Sequence, residues 1–294
     1  MHIHQAFSAG LVLVATTMAG VSSASATELQ HQFSTGISYS APADLNIGTV
    51  NAGEMDAFHS DVSYLLRFKT SETYAWGAGF GWERSGFGLP AGVPLPNTVN
   101  ALTLNFQNDW KFADKWNLRI DVRPGLFSDL EDIDGGDFNA PLTAGLAYSQ
   151  SETLMWVAAV NVDVRRDIPV IGGVGVRWKF AEDWTLALLL PKPTIEYQVS
   201  PAVAVFAGGE LMGGAYRVAE DLGTRTGRAN LDDEMVSYRE IRVGGGFRAN
   251  VGKNLTASVE GGWVIDRRFT YEEADLQING DGAMYLGVAL RARF

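Results

Sequence analysis

Charged side chains recur at every second position in several segments of the sequence, and this spacing is the first indication of chemistry. Between Trp116 and Val122, the polar residues Asn117, Arg119 and Asp121 alternate with apolar ones. Successive side chains of a β-strand point to opposite faces, so such a segment has one charged face and one apolar face. Facing rows of arginines and carboxylates could bind or select small ionic solutes.

Charged residues occupy such alternate positions in segments along the whole chain. We predict that these residues line an enclosed polar interior. The candidate lining residues are Arg67, Arg119, Asp121, Arg123, Asp163, Arg165, Arg177, Arg242, Arg248, Glu260, Asp266 and Arg291. Two interpretations stay open. These residues could form the wall of a narrow channel that selects small anionic or zwitterionic solutes, or they could pair across neighbouring strands and close the interior.

A calcium site is one hypothesis for the acidic segment 129–137, which reads DLEDIDGGD. Its acidic side chains at near alternate positions and its two glycines could wrap a cation, with Asp132, Asp134 and Asp137 as ligands. The segment lacks the distal glutamate of a complete calcium-binding loop, so a solvated acidic loop is the favoured interpretation. We therefore predict no metal and no cofactor.

Hydrolysis would need a nucleophile beside a base, and the sequence offers His59 as a base, with Ser60 and Asp61 next to it. Neighbours on a strand point to opposite faces, so His59 and Ser60 cannot meet, and a serine from elsewhere in the chain would be required. No phosphate-binding loop, histidine cluster or nucleotide fingerprint occurs in the sequence. We predict that the protein is not an enzyme, and a lipid-modifying activity is the least favoured alternative.

The elements that must position these residues are β-strands. Apolar and aromatic residues alternate with glycine or polar residues over segments 58–68, 74–83, 154–165 and 255–266, and no helical period competes over a similar length. After the first 26 residues, no run approaches the ~20 apolar residues that a membrane helix needs. In hydrocarbon every backbone group must be paired within the protein, so a sheet that crosses a membrane must close into a barrel.

Short and long connections alternate along the chain, which is typical of a membrane barrel with short periplasmic turns and longer extracellular loops. The short links fall at 70–73, 113–115, 150–153, 181–183, 200–202 and 251–254, and the long ones at 41–55, 85–98, 126–139, 218–236 and 269–281. Two short links carry the similar sequences WKFADKW and WKFAEDW, whose aromatic residues suit the membrane interface. The links predict about fourteen strands, with about twelve as the fallback, because an even number returns both ends to the periplasm.

The two ends of the chain predict export and assembly. Residues 1–26 combine an uncharged apolar run with a small-residue end, which is typical of a cleaved signal peptide and leaves 27–294 as a single barrel domain. The last segment alternates apolar residues up to the terminal Phe294, which resembles the signal that the outer-membrane assembly machinery reads. We therefore expect a protein of the Gram-negative outer membrane, in contact with lipid and lipopolysaccharide.

Three segments carry a resemblance to a known family: LPKPTIEY at 190–197, FAGGE at 206–210 and GAYR at 214–217. Together with the turn signatures and the terminal strand, they make the chain similar to a family of bacterial outer-membrane barrels catalogued as a domain of unknown function. The resemblance implies the location and the fold and supplies no mechanism. In strand number the chain also resembles the fatty-acid and aromatic-hydrocarbon channels, although it shows no hydrophobic amino-terminal plug segment.

These patterns together predict an all-β protein, a closed antiparallel transmembrane barrel that is monomeric and acts as a passive channel or transporter for small polar solutes. The formal net charge of −11 argues against nucleic acid as a partner. The alternative is a structural or surface-interaction barrel that acts through its loops and has no conducting pore.

Overall fold

The computed structural model describes residues 28–166 and 168–294, so the predicted signal peptide lies outside the described residues. The strands are β1 (Glu28–Ile47), β2 (Val50–Lys69), β3 (Tyr74–Gly88), β4 (Thr98–Ala113), β5 (Trp116–Val122), β6 (Gly125–Ser128), β7 (Phe138–Asn139), β8 (Leu142–Ser149), β9 (Leu154–Val162), β10 (Val170–Trp178), β11 (Trp184–Leu188), β12 (Thr194–Ser200), β13 (Val203–Arg217), β14 (Met235–Val251), β15 (Leu255–Tyr271), β16 (Leu276–Gly280) and β17 (Ala283–Arg293). One short helix, α1 (Leu222–Arg225), lies between β13 and β14. Within the described residues, no helix has the length and apolar character needed to cross a membrane.

The strands form one closed antiparallel barrel. Sequence neighbours pair around the wall, and β17 pairs with β1, with Phe33 opposite Ala292, which closes the sheet. Three wall strands are interrupted, since β5 continues as β6, β7 as β8 and β16 as β17. The seventeen segments therefore make a barrel of 14 wall strands, and the predicted fold is confirmed.

An apolar belt covers the outside of the barrel because one phase of each wall strand points outward. The exposed members include Phe58, Phe80, Leu104, Phe106, Trp156, Val174, Phe247, Val259, Leu286 and Leu290. A soluble protein rarely exposes so large an apolar surface, whereas a membrane barrel requires it. Pairing around the closed sheet also satisfies most backbone groups within the protein, as hydrocarbon demands. The chain is a transmembrane barrel of the Gram-negative outer membrane.

Aromatic clusters mark the periplasmic boundary of the belt at the two turns with similar sequences. At the first turn, Trp116 packs against Tyr148, with ring centroids 4.6 Å apart. At the second turn, Trp184 packs against Tyr197 in the same way at 4.9 Å. Amphipathic rings of this kind settle at the depth of lipid headgroups. The repeated turn sequences therefore reflect a shared position at the membrane interface.

The first outer connection is much shorter than the sequence indicates. β1 and β2 continue to a turn at Gly48 and Thr49, and Gly48 has a φ of +62°, which favours glycine. The prediction of a long loop over 41–55 is therefore wrong. The register shifts between Ser40 and Ala43, and this bulge interrupts the alternation that would have revealed the strand.

An extracellular cap closes the barrel on the side of the long connections. We define the cap as the buried apolar cluster formed by inward-folded segments 89–97 and 218–234 together with the outer ends of β1–β4 and β13–β16. Leu231 is 0% exposed. The Tyr271 hydroxyl donates to the Pro94 carbonyl at 2.9 Å. The cap is a packed core that obstructs the barrel axis at its extracellular end.

We predict that Leu231→Ala loosens the cap. Truncating a fully buried leucine costs about 2 to 5 kcal/mol in the free energy of unfolding, because the removed methyl groups leave a cavity. Urea unfolding of the protein in lipid vesicles, followed by tryptophan fluorescence, measures the change. Ile133→Ala is the control, since Ile133 is exposed in an outer loop. An equal effect of both substitutions would contradict the packed cap.

Candidate functional site in the barrel lumen

Most of the predicted lining residues occupy inward positions of the wall. These are Arg67, Arg119, Asp121, Arg177, Arg248, Glu260 and Arg291. Their strand neighbours on either side point outward into the apolar belt, as the period of two requires. Arg123 and Asp163 lie just beyond the ends of β5 and β9 and line the lumen cavity. The selectivity role assigned to all these residues stays a prediction.

A cavity of about 480 Å³ occupies the lumen below the cap. Its walls include Arg291 and Arg293 near the end of β17, then Arg119, Asp121 and other polar side chains further up. A cavity of this size holds a small organic solute. The lumen is therefore polar and large enough to bind one, and the cap bounds it on the extracellular side.

One carboxylate organises the periplasmic half of the lumen. Asp109 lies between two arginines, with Arg67 Nη2 donating to its Oδ2 at 3.0 Å and Arg119 Nε donating to its Oδ1 at 2.7 Å. Asp109 is buried, so this contact is shielded from salt and fixes both guanidinium groups against the wall. Sequence reasoning missed Asp109, although its inward phase on β4 was available as a signal.

A lysine at the tip of the β11–β12 hairpin reaches across the lumen. Lys192 Nζ donates to Glu260 Oε2 at 2.7 Å and to Glu210 Oε2 at 3.2 Å. These two ion pairs tie the hairpin tip to β13 and β15. The pairs are partly exposed, so they position the tip more than they stabilise the fold.

Three arginines near the periplasmic end are not held in close ion pairs. Arg177, Arg291 and Arg293 form no ion pair within the described part of the chain. Arg177 lies near the end of β10, whereas the other two lie at the end of β17. Free guanidinium groups on one side of a narrow passage raise the local concentration of anions. This end of the lumen is therefore rich in cationic side chains.

A buried charge network lies between the lumen and the cap. Glu240 is 0% exposed and accepts hydrogen bonds from Arg242 Nε at 2.5 Å and from Arg267 Nε at 2.7 Å. The Tyr238 hydroxyl donates to the same carboxylate at 2.7 Å. Arg242 is 1% exposed, so the expectation that it is a wetted lining residue is wrong. The network joins β14 to β15 and supports the cap from below.

Two other lining predictions fail because the chain departs from regular alternation. An extra residue in β15 shifts the register opposite Ile241 and Arg242, so Asp266 pairs with the outward-facing Ile241. Asp266 accordingly lies on the outer face, where Arg239 Nη2 lies 2.7 Å from its Oδ2. Arg165 lies beyond the end of β9, and its Nη2 donates to the Phe138 carbonyl at 3.4 Å. Arg165 therefore belongs to the outer connection between β9 and β10 and is not part of the strand wall.

The acidic outer loop satisfies its carboxylates with its own backbone. Asp134 Oδ1 accepts from Gly136 N at 2.5 Å, and Asp137 Oδ2 accepts from Asp134 N at 3.2 Å. In the segments 28–166 and 168–294, no three acidic or histidine side chains converge on a common cation position. The structure therefore gives no support to a calcium site at Asp132, Asp134 and Asp137.

Elsewhere in the outer loops, local contacts shift the pKa of two further carboxyl groups. The Thr224 hydroxyl and backbone N–H donate to Asp232, which lowers the pKa of that carboxyl group. Burial raises the pKa of Asp129, although Ala219 N donates to it at 2.8 Å. Both carboxyl groups thus hold the outer loops together.

His59 has a serine neighbour that the sequence did not reveal. Its Nδ1 lies 2.8 Å from Ser85 Oγ on the adjacent strand β3, and its Nε2 lies 3.8 Å from Glu240 Oε1. A triad needs a carboxylate in hydrogen-bond contact with the histidine. Glu240 is already held by two arginines, and its distance from Nε2 exceeds a hydrogen bond. The arrangement lacks the third member of a hydrolytic site.

Comparisons with known proteins place these features in context. A family model described as a domain of unknown function, DUF6268, matches residues 91–280. No curated protein sequence matches the chain.

Among solved structures, the COG4313 outer membrane channel from Pseudomonas putida F1 is similar at 9% identity and a TM-score of 0.49, covering 92% of this chain and 97% of that one. A deletion mutant of the TodX monoaromatic hydrocarbon channel is similar at 8% identity and a TM-score of 0.48, covering 90% of each chain. At these scores the two similarities support no statement about what this chain carries.

We predict that Glu240→Gln destabilises the barrel. The substitution leaves two buried guanidinium groups without a counter-charge, and breaking such a pair costs about 3 to 5 kcal/mol in the free energy of unfolding. Urea unfolding in lipid vesicles provides the measurement. Glu72→Gln, in an exposed periplasmic turn, should change stability by less than about 0.5 kcal/mol. If Glu240→Gln is as mild as this control, the network is not a structural support.

Proposed function

We propose that this chain, which belongs to the DUF6268 family of unknown function, is an outer-membrane transport barrel that passes small polar or anionic solutes through its lumen. The observation that carries the proposal is the cavity of about 480 Å³, whose polar wall extends to the periplasmic end of β17. The proposed role needs no cofactor, because a passive route depends on wall charge and width alone.

The free arginines support the preference for anions. Arg67 and Arg119 share the single carboxylate of Asp109, so each of these arginines is partly compensated where it stands. Arg177 and Arg291 form no such close ion pair among the described residues, although Asp61 and Glu210 attract Arg291 from a longer distance. The two arginines face the lumen from opposite parts of the wall. In a water-filled passage, one unit charge at ~4 Å contributes about 1 kcal/mol, which is roughly fivefold in the local concentration of an anion.

A barrel without a pore is the second candidate, and the cap favours it. The cap blocks the straight route along the barrel axis on the extracellular side. In this alternative the lumen would be a sealed pocket, and the outer loops would carry the function. Flux measurements separate the two, because a sealed barrel passes neither ions nor small solutes.

We predict that the double substitution of Arg177→Glu and Arg291→Glu shifts selectivity from anions towards cations. Each reversal replaces a free positive charge by a negative one, and we expect the chloride-to-potassium permeability ratio to fall by at least about fivefold. The reversal potential of the purified protein in planar bilayers under a potassium chloride gradient gives this ratio.

Lys253→Glu is the matched control for this prediction. It makes the same reversal in an exposed periplasmic turn outside the lumen, so the ratio should remain that of the unsubstituted protein. Equal ratios for all three proteins would refute the assigned selectivity. A folded barrel that passes no current and no solute would refute the transport function itself.

A further inference from the structure

The β11–β12 hairpin is too short to span the membrane. β11 has 5 residues and β12 has 7, whereas β13 beside them has 15. Five residues extend by about 16 Å before tilt, against an apolar band of about 25 Å. Pro191 and Pro193 end the hairpin because proline cannot donate to a strand ladder. The wall between β10 and β13 is therefore incomplete in its outer half.

A side notch takes the place of the missing wall. We define it by β10 residues 170–175 on one side, β13 residues 209–213 on the other, and the hairpin tip 189–193 below. β10 pairs with β11 over residues 176–178, and within the described residues its outer part pairs with β9 alone. Val174 is 87% exposed. A side-chain carbon built on Gly173 would meet no atom within 4 Å, so the β10 rim of the notch is open.

The other rim of the notch is held in place by backbone contacts. Gly209 N donates to the Pro193 carbonyl at 3.0 Å, and Leu211 N donates to the Pro191 carbonyl at 2.8 Å. At the top, Arg166 Nη2 donates to the Gly213 carbonyl at 3.3 Å and bridges from the β9–β10 side to β13. These contacts bound the opening, and the Arg166 side chain crosses its upper edge.

The lumen cavity reaches this notch. Its lining includes Pro191, Leu211, Gly213 and Arg166 at the notch and Arg291 near the periplasmic end. The cap obstructs the axial exit on the extracellular side. The lumen cavity therefore extends to the hairpin tip and to the β13 side of the notch.

We propose that the side notch is a lateral portal through which small amphipathic anions pass between the outer leaflet and the lumen. The inference rests on the proposed transport function and names its route and solute class. Unpaired backbone is costly in hydrocarbon and is tolerated where it lines a water-filled cavity, which fits a wet opening along the free edge of β10.

The chemistry of the notch selects the solute class. Its outer face is apolar, with Val170 and Val174 exposed beside it. Its inner side leads to a polar lumen, whose periplasmic end carries Arg177 and Arg291. An amphiphile can keep its apolar part in the leaflet while its anionic head enters the lumen. A purely polar solute gains nothing from the apolar rim.

Single thiols can test the portal because the chain contains no cysteine. Gly173→Cys places a thiol on the inward face of the rim, and Val174→Cys places one on the adjacent outward face. Each folded protein is alkylated with a bulky maleimide and reconstituted in phospholipid vesicles that contain serum albumin. Entry of 8-anilinonaphthalene-1-sulfonate, an amphipathic anion that fluoresces on albumin, is measured beside chloride flux.

Alkylation of Gly173→Cys should slow dye entry at least fivefold relative to the same protein before alkylation. Alkylation of Val174→Cys should leave dye entry unchanged, because its adduct points into lipid. Dye entry that survives the Gly173 adduct, or a Gly173 thiol that resists the maleimide, would overturn the portal, while chloride flux would then still support the transport barrel. Absence of both dye and chloride flux before alkylation would refute the transport function as well as the portal.

Discussion

Pairing of backbone hydrogen-bonding groups in the absence of water is the constraint on which this structure depends. An unpaired strand edge is costly in hydrocarbon, so β1 depends on β17 to pair its second edge. β17 provides that partner along nine consecutive residue pairs with β1. Alternation of the side chains follows from the same geometry, because a wall one residue thick must show lipid one face and the lumen the other.

The need to pair backbone groups in hydrocarbon also draws attention to the place in the wall where strand pairing stops. Most wall strands run well beyond the membrane band, but the β11–β12 hairpin ends inside it. Among the described residues, the outer edge of β10 is left unpaired at the depth of the membrane, and unpaired backbone groups there cost free energy unless water or protein groups satisfy them. The sequence itself accounts for this gap. Prolines at the hairpin tip end the strands, and glycines at 172, 173 and 175 leave the facing rim of β10 without side chains at those positions.

Sequence reasoning recovered what depends on local periodicity and missed what depends on distant contacts. The barrel class, the strand count, the periplasmic turns and most inward residues follow from a period of two, which any reader of the sequence can count. Asp266 was misplaced because one extra residue in β15 reverses the phase, and no local signal marks that residue. A bulge also hid the outer ends of β1 and β2.

Side-chain partnerships across the barrel could not be predicted for a different reason. Lys192 contacts Glu260, which is 68 residues away in the sequence, because the closed wall curves and brings the hairpin tip and β15 to face the same lumen. The same holds for Glu240 and His59, which belong to opposite ends of the chain. Such pairs require register, shear and closure to be known first, and periodicity supplies none of these.

The composition of the cap constrains the order in which the protein can mature. Its members come from both ends of the chain, since Leu45 and Met55 pack in the same cluster as Phe269 and Ile278. Contacts of such long sequence separation form late because loop-closure entropy opposes them. The cap can therefore pack only once strands from both ends of the chain have been brought together, so closure of the wall by β1 and β17 and burial of the cap are coupled.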